Sequence, residues 1–229
     1  MKRTLLMAVV VTIVMVPVAF GATIGPKDTF QDGTTDNWFA GGLGLGQVPP
    51  IPPQVVSSGG PAGAGDQFLK ITATGIPGAP GSRIVAINLS QWAGNYLTSG
   101  INSLTMDLKN LGNTALTIRL QFEDAMGGPP ADEAVTTFGA LLPVGSDWTH
   151  VVFSLSPANM TAIIGSASTA LSNTTVLRII DSPTPTEAVT IAGVLGVDNI
   201  SAVPEANSML LTGLGLLSLI ALYRRRQAA

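Results

Sequence analysis

The stretch "TALTIRLQF", residues 114–122, constrains this chain more than any other. Leu116, Ile118, Leu120 and Phe122 alternate strictly with Thr117, Arg119 and Gln121. Successive side chains of a strand point to opposite faces, so this period of two predicts a half-buried β-strand with its apolar face on a core. A helix would spread the same four residues around its circumference.

Similar short runs recur along the middle of the chain. "FLKITAT" begins at Phe68, "RIVAINL" at Arg83, "INSLTMDLKN" at Ile101, "WTHVVFSL" at Trp148, "TVLRIID" at Thr175 and "VLGVDNISAV" at Val194. Glycine, proline and asparagine separate them, and Asn110-Leu111-Gly112-Asn113 reads as a hairpin connection. Only Pro157 to Ala170 offers a short helix, so long parallel crossovers have no material to form. The expected fold is all-β, an antiparallel two-sheet sandwich of jelly-roll type over residues 22–202. Residues 23–65 hold too many turn formers for a core. Gly42, Gly44 and Gly46 lack the strand–loop–helix frame of a phosphate loop.

The two ends of the chain obey a different logic. Lys2 and Arg3 precede an apolar run from Leu5 to Phe20, and small residues at Ala19 and Gly21 follow. This is the layout of a secretory signal peptide spanning residues 1–21, with cleavage expected after Gly21. At the other end, Val203-Pro204-Glu205 leads into an apolar segment from Ser208 to Tyr223 and then Arg224, Arg225 and Arg226. As a helix, residues 208–223 would span roughly 24 Å, short of a hydrocarbon core of ~30 Å but within reach of local thinning. The arginines would stop transfer and stay cytoplasmic.

This order of proline-glutamate strip, apolar helix and basic tail over residues 203–229 resembles the PEP-CTERM sorting signal of exported bacterial proteins. Ala206 stands where that family usually has a second proline. The resemblance implies an exosortase as processing partner, the membrane as a transient or lasting anchor, and an association with extracellular polysaccharide. A second resemblance lies in the body. "DTFQDGTTDNW" near its start, "DWTHVVFSL" and the closing "VLGVDNISAV" are similar to jelly-roll carbohydrate-binding modules and galactose-binding-like domains. It implies that the first and last strands pair, and that a structural Ca²⁺ sits between Asp28 and Asp198. Gln31 stands where a glutamate is common. The alternative is that both aspartates simply begin and end strands in solvent.

Composition narrows the chemistry. The chain has no cysteine, which excludes disulfides and thiolate metal sites. Five of its 11 basic residues lie in the two terminal segments. The body between them is acidic, which excludes nucleic acid as a partner. His150 is the single histidine, so no two-histidine zinc site can be assembled; a serine hydrolase would need His150 as its only base, and no G-x-S-x-G elbow is present. The doublets Glu123-Asp124 and Asp132-Glu133 sit in "EDAMGGPPADEA", which reads as a solvated loop. Neighbouring residues of a strand face opposite ways, so neither doublet alone is a glycosidase pair.

No catalytic residue is assigned. For binding, Trp92 and Tyr96 in "SQWAGNYLTSG" are the best candidates to stack sugar rings. The alternative is a loop anchor packed on the edge of the sandwich. The leading expectation is a non-enzymatic envelope or matrix protein; a lectin-like glycan-binding module and a secreted hydrolase using Glu123 to Glu133 are the alternatives.

Overall fold

The computed structural model describes residues 27–40, 51–125 and 128–204. The expected signal peptide, with Ala19 and Gly21, lies outside the described residues. So do Glu205, the expected helix 208–223 and Arg224 to Arg226. Among the described residues no helix is long and apolar enough to cross a membrane.

The described residues form twelve strands, in chain order. They are β1 (Phe39–Ala40), β2 (Gln54–Val56), β3 (Phe68–Thr74), β4 (Val85–Asn88), β5 (Ile101–Asn110) and β6 (Leu116–Asp124). The rest are β7 (Asp132–Thr136), β8 (Ala140–Leu142), β9 (Thr149–Ser154), β10 (Met160–Ile164), β11 (Val176–Asp181) and β12 (Ala192–Pro204). They form two antiparallel sheets. One has the order β1-β4-β11-β6-β7-β10 with β8 also on β6, and the other runs β2-β3-β12-β5-β9. The expected two-sheet sandwich is therefore present.

Between the sheets lie the residues that the alternation selected. Leu116, Ile118, Leu120 and Phe122 of β6 are fully buried. They belong to one core with Leu104, Met106 and Leu108 of β5 and Leu195, Val197 and Ile200 of β12. Burying side chains of this size contributes about 1.5–3 kcal/mol each relative to leaving them in water.

Three details differ from the sequence reading. Residues 110–113 do not close a hairpin, because β5 and β6 belong to different sheets. The Asn110 amide donates to the carbonyls of Thr114 and Leu142 and its carbonyl accepts from Gly112 N, which turns the chain across the sandwich edge. Within the expected helix of residues 157–170, β10 occupies Met160–Ile164 and pairs with β7. Only the short helix α1 (Ala167–Ser172) follows, its N-terminus capped by the Ser166 side chain. Finally, β12 continues through Val203 and Pro204, opposite Ser103 and Ile101. The last strand of the sandwich thus runs two residues past the expected end of the body, into the strip read as a sorting motif.

Candidate functional site

Asp28 stands opposite Ile200, each backbone N–H donating to the other's carbonyl at 2.9 and 3.0 Å. The start and the end of the body meet at this one isolated bridge, while β1 itself pairs with β4 and not with β12. The Asp28 carboxylate, 4% exposed, faces the core. Its Oδ2 accepts the indole N–H of Trp38 at 2.8 Å and of Trp92 at 2.6 Å, and Gln91 Nε2 donates at 3.2 Å. Burial pushes its pKa up, while the hydrogen bonds from Trp92 and Trp38 pull it back.

This shell does not fit Ca²⁺. A hard cation needs six to eight oxygens, whereas Asp28 is ringed by N–H donors already spent on it. Asp198 belongs to another neighbourhood. A bulge between Asp198 and Ser201, with Asn199 at φ +54°, puts its carboxylate beside Asp66 and Asp107. It accepts the Asn199 backbone N–H at 2.7 Å. Its pKa is pushed up to about 7, first by burial and then by those two carboxylates. Gln31 turns away as well, donating to Asp66 at 2.8 Å. Among the described residues no group of three or more acidic or histidine side chains has the geometry to hold a metal. The expected Asp28–Asp198 metal pair is not assembled.

Trp92 and Tyr96 are both fully buried. Tyr96 OH donates to the Trp92 carbonyl at 2.8 Å, and its ring meets Phe122 edge-on at 5.0 Å between centroids. Burial raises the phenol pKa. The pair forms the loop anchor; its rings face the core and offer solvent no stacking surface.

The charged groups that do converge lie on the outer face of the seven-stranded sheet. In the antiparallel pair of β6 and β7, Glu123 stands directly opposite Glu133, one from each acidic doublet. Both are almost fully buried, at 1% and 2% exposure. The stretch read as a solvated surface loop therefore holds the most deeply buried carboxylates of this face. Glycine and proline signalled the turn between the strands but not that each doublet sits on a strand.

A single amide joins the two glutamates. Gln121 Nε2 donates to Glu123 Oε1 and to Glu133 Oε1, both at 2.8 Å, and Gln121 Oε1 has no partner among the described residues. From β11, Arg178 Nη2 donates to Glu123 Oε2 at 2.9 Å, and its Nε lies 2.6 Å from Oε1 in an ion-pair contact. Burial raises the Glu123 pKa and Arg178 opposes the rise. Glu133 is pushed up to about 8, first by burial, then by the neighbouring Glu187 carboxyl and by the charge of Glu123. Glu133 is thus drawn toward its protonated form, while Glu123 is paired with a guanidinium.

Beside this centre a groove of about 490 Å³ opens. Its walls are Phe39, Ile87, Leu89, Pro130 and Val176, with Glu123 and Arg178 among its lining. A second hollow of about 340 Å³ shares Phe39 and Leu89 with it. His150 lies elsewhere, on the other sheet, bonded to Asp107 at 2.8 Å.

No protein-family model matches the chain, and no curated protein sequence matches it. Solved structures do resemble it. The family 11 carbohydrate-binding module from Clostridium thermocellum, in complex with a β-1,3-1,4-mixed-linked tetrasaccharide, superimposes with a TM-score of 0.51 at 16% identity. The match covers 77% of this chain and 93% of that one. An exo-β-agarase matches with a TM-score of 0.53 at 12% identity over 79% of this chain, which spans only 25% of the agarase. The N-terminal tandem family 22 modules from Paenibacillus barcinonensis match with a TM-score of 0.50 at 14% identity, covering 82% of this chain and 46% of theirs. At such identities the likeness shows the fold alone, an antiparallel two-sheet β-sandwich.

Proposed function

We infer that the protein is a glycan-binding, jelly-roll-like module that holds a polysaccharide in the groove beside Arg178. The observation that carries this reading is the composition of the groove. An aromatic and aliphatic wall (Phe39, Ile87, Leu89, Val176) stands against the Arg178–Glu123 fork. A sugar ring presents a C–H face to such a wall and pairs of hydroxyls to planar charged groups. A guanidinium carries five N–H donors, more than one carboxylate consumes. The shared fold with carbohydrate-binding modules supports the reading.

Binding rather than hydrolysis suits the carboxylates. A glycosidase needs a sugar between its two carboxyls, and here the Gln121 amide fills that place with both glutamates buried. The reading is therefore non-enzymatic.

Export belongs to the same proposal on the strength of the terminal sequences. The signal peptide ends at Gly21, the tail from Val203 to Arg226 sorts the protein to the envelope, and an exosortase processes it. N-terminal sequencing and C-terminal mass spectrometry of protein from the native envelope test this part. A chain that keeps Met1 overturns the export reading.

Affinity gel electrophoresis of the body against soluble β-1,3-1,4-glucan, xylan and agarose tests the binding. Wild-type protein is expected to be retarded by at least one polymer. Arg178→Met and Phe39→Ala each weaken retention by about 10-fold or more, the cost of about 1.4 kcal/mol or more of lost contact. A wild-type protein retarded by none of the polymers overturns the reading.

A further inference from the structure

Among the described residues that line the groove, only Glu123 and Arg178 carry charge. Phe39, Ile87, Leu89 and Val176 make most of the remaining wall apolar. The charge that a ligand meets there is therefore set by one ion pair.

The register of the sheet builds that pair. Arg178 of β11 stands opposite Gln121 of β6, two residues from Glu123 on the same face. Its Nη2 donates to Glu123 Oε2 at 2.9 Å, and its Nε lies 2.6 Å from Oε1. Glu123 Oε1 also accepts Gln121 Nε2 at 2.8 Å. Both oxygens of the carboxylate are thus engaged. The Glu123 side chain is 2% exposed and that of Arg178 is 30% exposed, so the acid lies buried beneath a guanidinium that solvent reaches. Glu133, opposite Glu123 on β7, adds no positive charge in either protonation state.

We propose that Glu123 is a specificity-determining residue of this groove: it holds Arg178 side-on, cancels its charge, and so closes the groove to acidic polysaccharides. The inference rests on the glycan-binding reading and narrows its ligand to an uncharged polymer. A guanidinium has five N–H donors, and those turned to Glu123 leave the others for sugar hydroxyls. An acidic sugar brings a carboxylate or sulfate that must shed water to enter. That cost is several kcal/mol for an ion and is offset only by an opposite charge free to meet it. The charge of Arg178 is already matched at contact distance, and the Glu123 carboxylate repels a second anion. A hydroxyl loses far less hydration and needs no net charge. Were the pair only a staple between β6 and β11, removing its negative charge would alter stability and leave ligand preference unchanged.

Calorimetry with oligosaccharides of β-1,3-1,4-glucan, xylan and agarose tests this, each beside an acidic counterpart of the same backbone: C6-oxidised glucan, glucuronoxylan and sulfated agarose. Wild-type protein should prefer a neutral member over its counterpart by about tenfold or more, with an affinity for the neutral sugar that salt does not change. Glu123→Gln keeps the shape of the side chain and frees the Arg178 charge. It should shift the preference toward the acidic member by about tenfold, and high salt should erase that gain. Glu123→Asp retains the charge and should retain the wild-type preference. Adding Arg178→Met to Glu123→Gln should abolish the gain. Leu89→Lys, at an exposed position of the wall, adds a positive charge without touching the buried pair and should shift the preference the same way. An unchanged preference in folded Glu123→Gln overturns the proposal; where that variant does not fold, an unchanged preference in Leu89→Lys does so. A wild type that binds an acidic member as tightly as its neutral partner keeps the glycan reading and overturns this one. A wild type that binds none of the six overturns both.

Discussion

Two buried carboxylate centres divide the labour of this molecule. Asp28 sits where the first and last parts of the body meet, and Glu123 with Glu133 sits on the outer face of the larger sheet. Burial raises the pKa at all three. The company differs. Asp28 is met by two indole N–H groups and an amide, so its acceptor sites are filled by parts of the core. Glu133 is met by Glu187 and Glu123, with Arg178 already paired to the latter. A carboxylate surrounded by donors locks structure in place. One surrounded by carboxyls is drawn toward its protonated form instead.

The largest effect that tests this contrast should come from Asp28→Ala. It leaves the buried N–H groups of Trp38 and Trp92 without an acceptor, at about 1–3 kcal/mol each. We expect a loss near 3 kcal/mol, or a fall of roughly 6–12 °C in melting temperature for a domain of this size. An unchanged melting temperature would reduce Asp28 to a bystander.

Glu133→Gln should act in the opposite direction and only above a certain pH. A carboxyl raised from 4.5 to about 8 on folding contributes its full stability below pH ~4.5. That contribution is lost as the pH rises to about 8, because the unfolded chain gives up the proton first. Wild-type stability should therefore decline across that window, and Glu133→Gln should flatten the decline. Denaturant melts at several pH values measure it. Parallel declines in both proteins would place the titrating group elsewhere.

The smallest effect should come from the other sheet. His150 is exposed and paired with Asp107 in solvent, so His150→Ala should change stability by less than about 1 kcal/mol. Glycan retention should not change. A loss of retention there would move the binding face to the five-stranded sheet.

Much of the sandwich is legible in the chain. The period of two on β6 assigns Leu116, Ile118, Leu120 and Phe122 to the core, where they are found. It leaves Arg119 and Gln121 to polar surroundings, yet these are 5% and 1% exposed. Alternation reports that two faces differ; it carries no information about the Ser182 and Pro183 carbonyls that take up Arg119 from sixty residues later, or about the two glutamates that Gln121 joins. Strands β7 and β10 escaped notice because each is only five residues long. The charged pair at the start of β7 also reads as loop. Trp92 and Tyr96 looked like exposed stackers because their sequence neighbours are polar, while the groups that bury them come from Asp28 and Phe122.

The sequence by itself determined the alternating core faces, the all-β class and the address-like composition of the two ends. These follow from local rules: side-chain direction along a strand, turn residues, and a membrane that reads hydrophobicity over a contiguous window. Tertiary structure alone decided the site. Glu123 meets Glu133 because β6 and β7 pair in one register, and a shift of one residue would send them to opposite faces. Arg178 and Glu187 reach them from a third strand and its following segment. The charge state of Glu133 depends on all of these at once, because burial and the field of neighbouring groups belong to the folded arrangement and to no single stretch of chain.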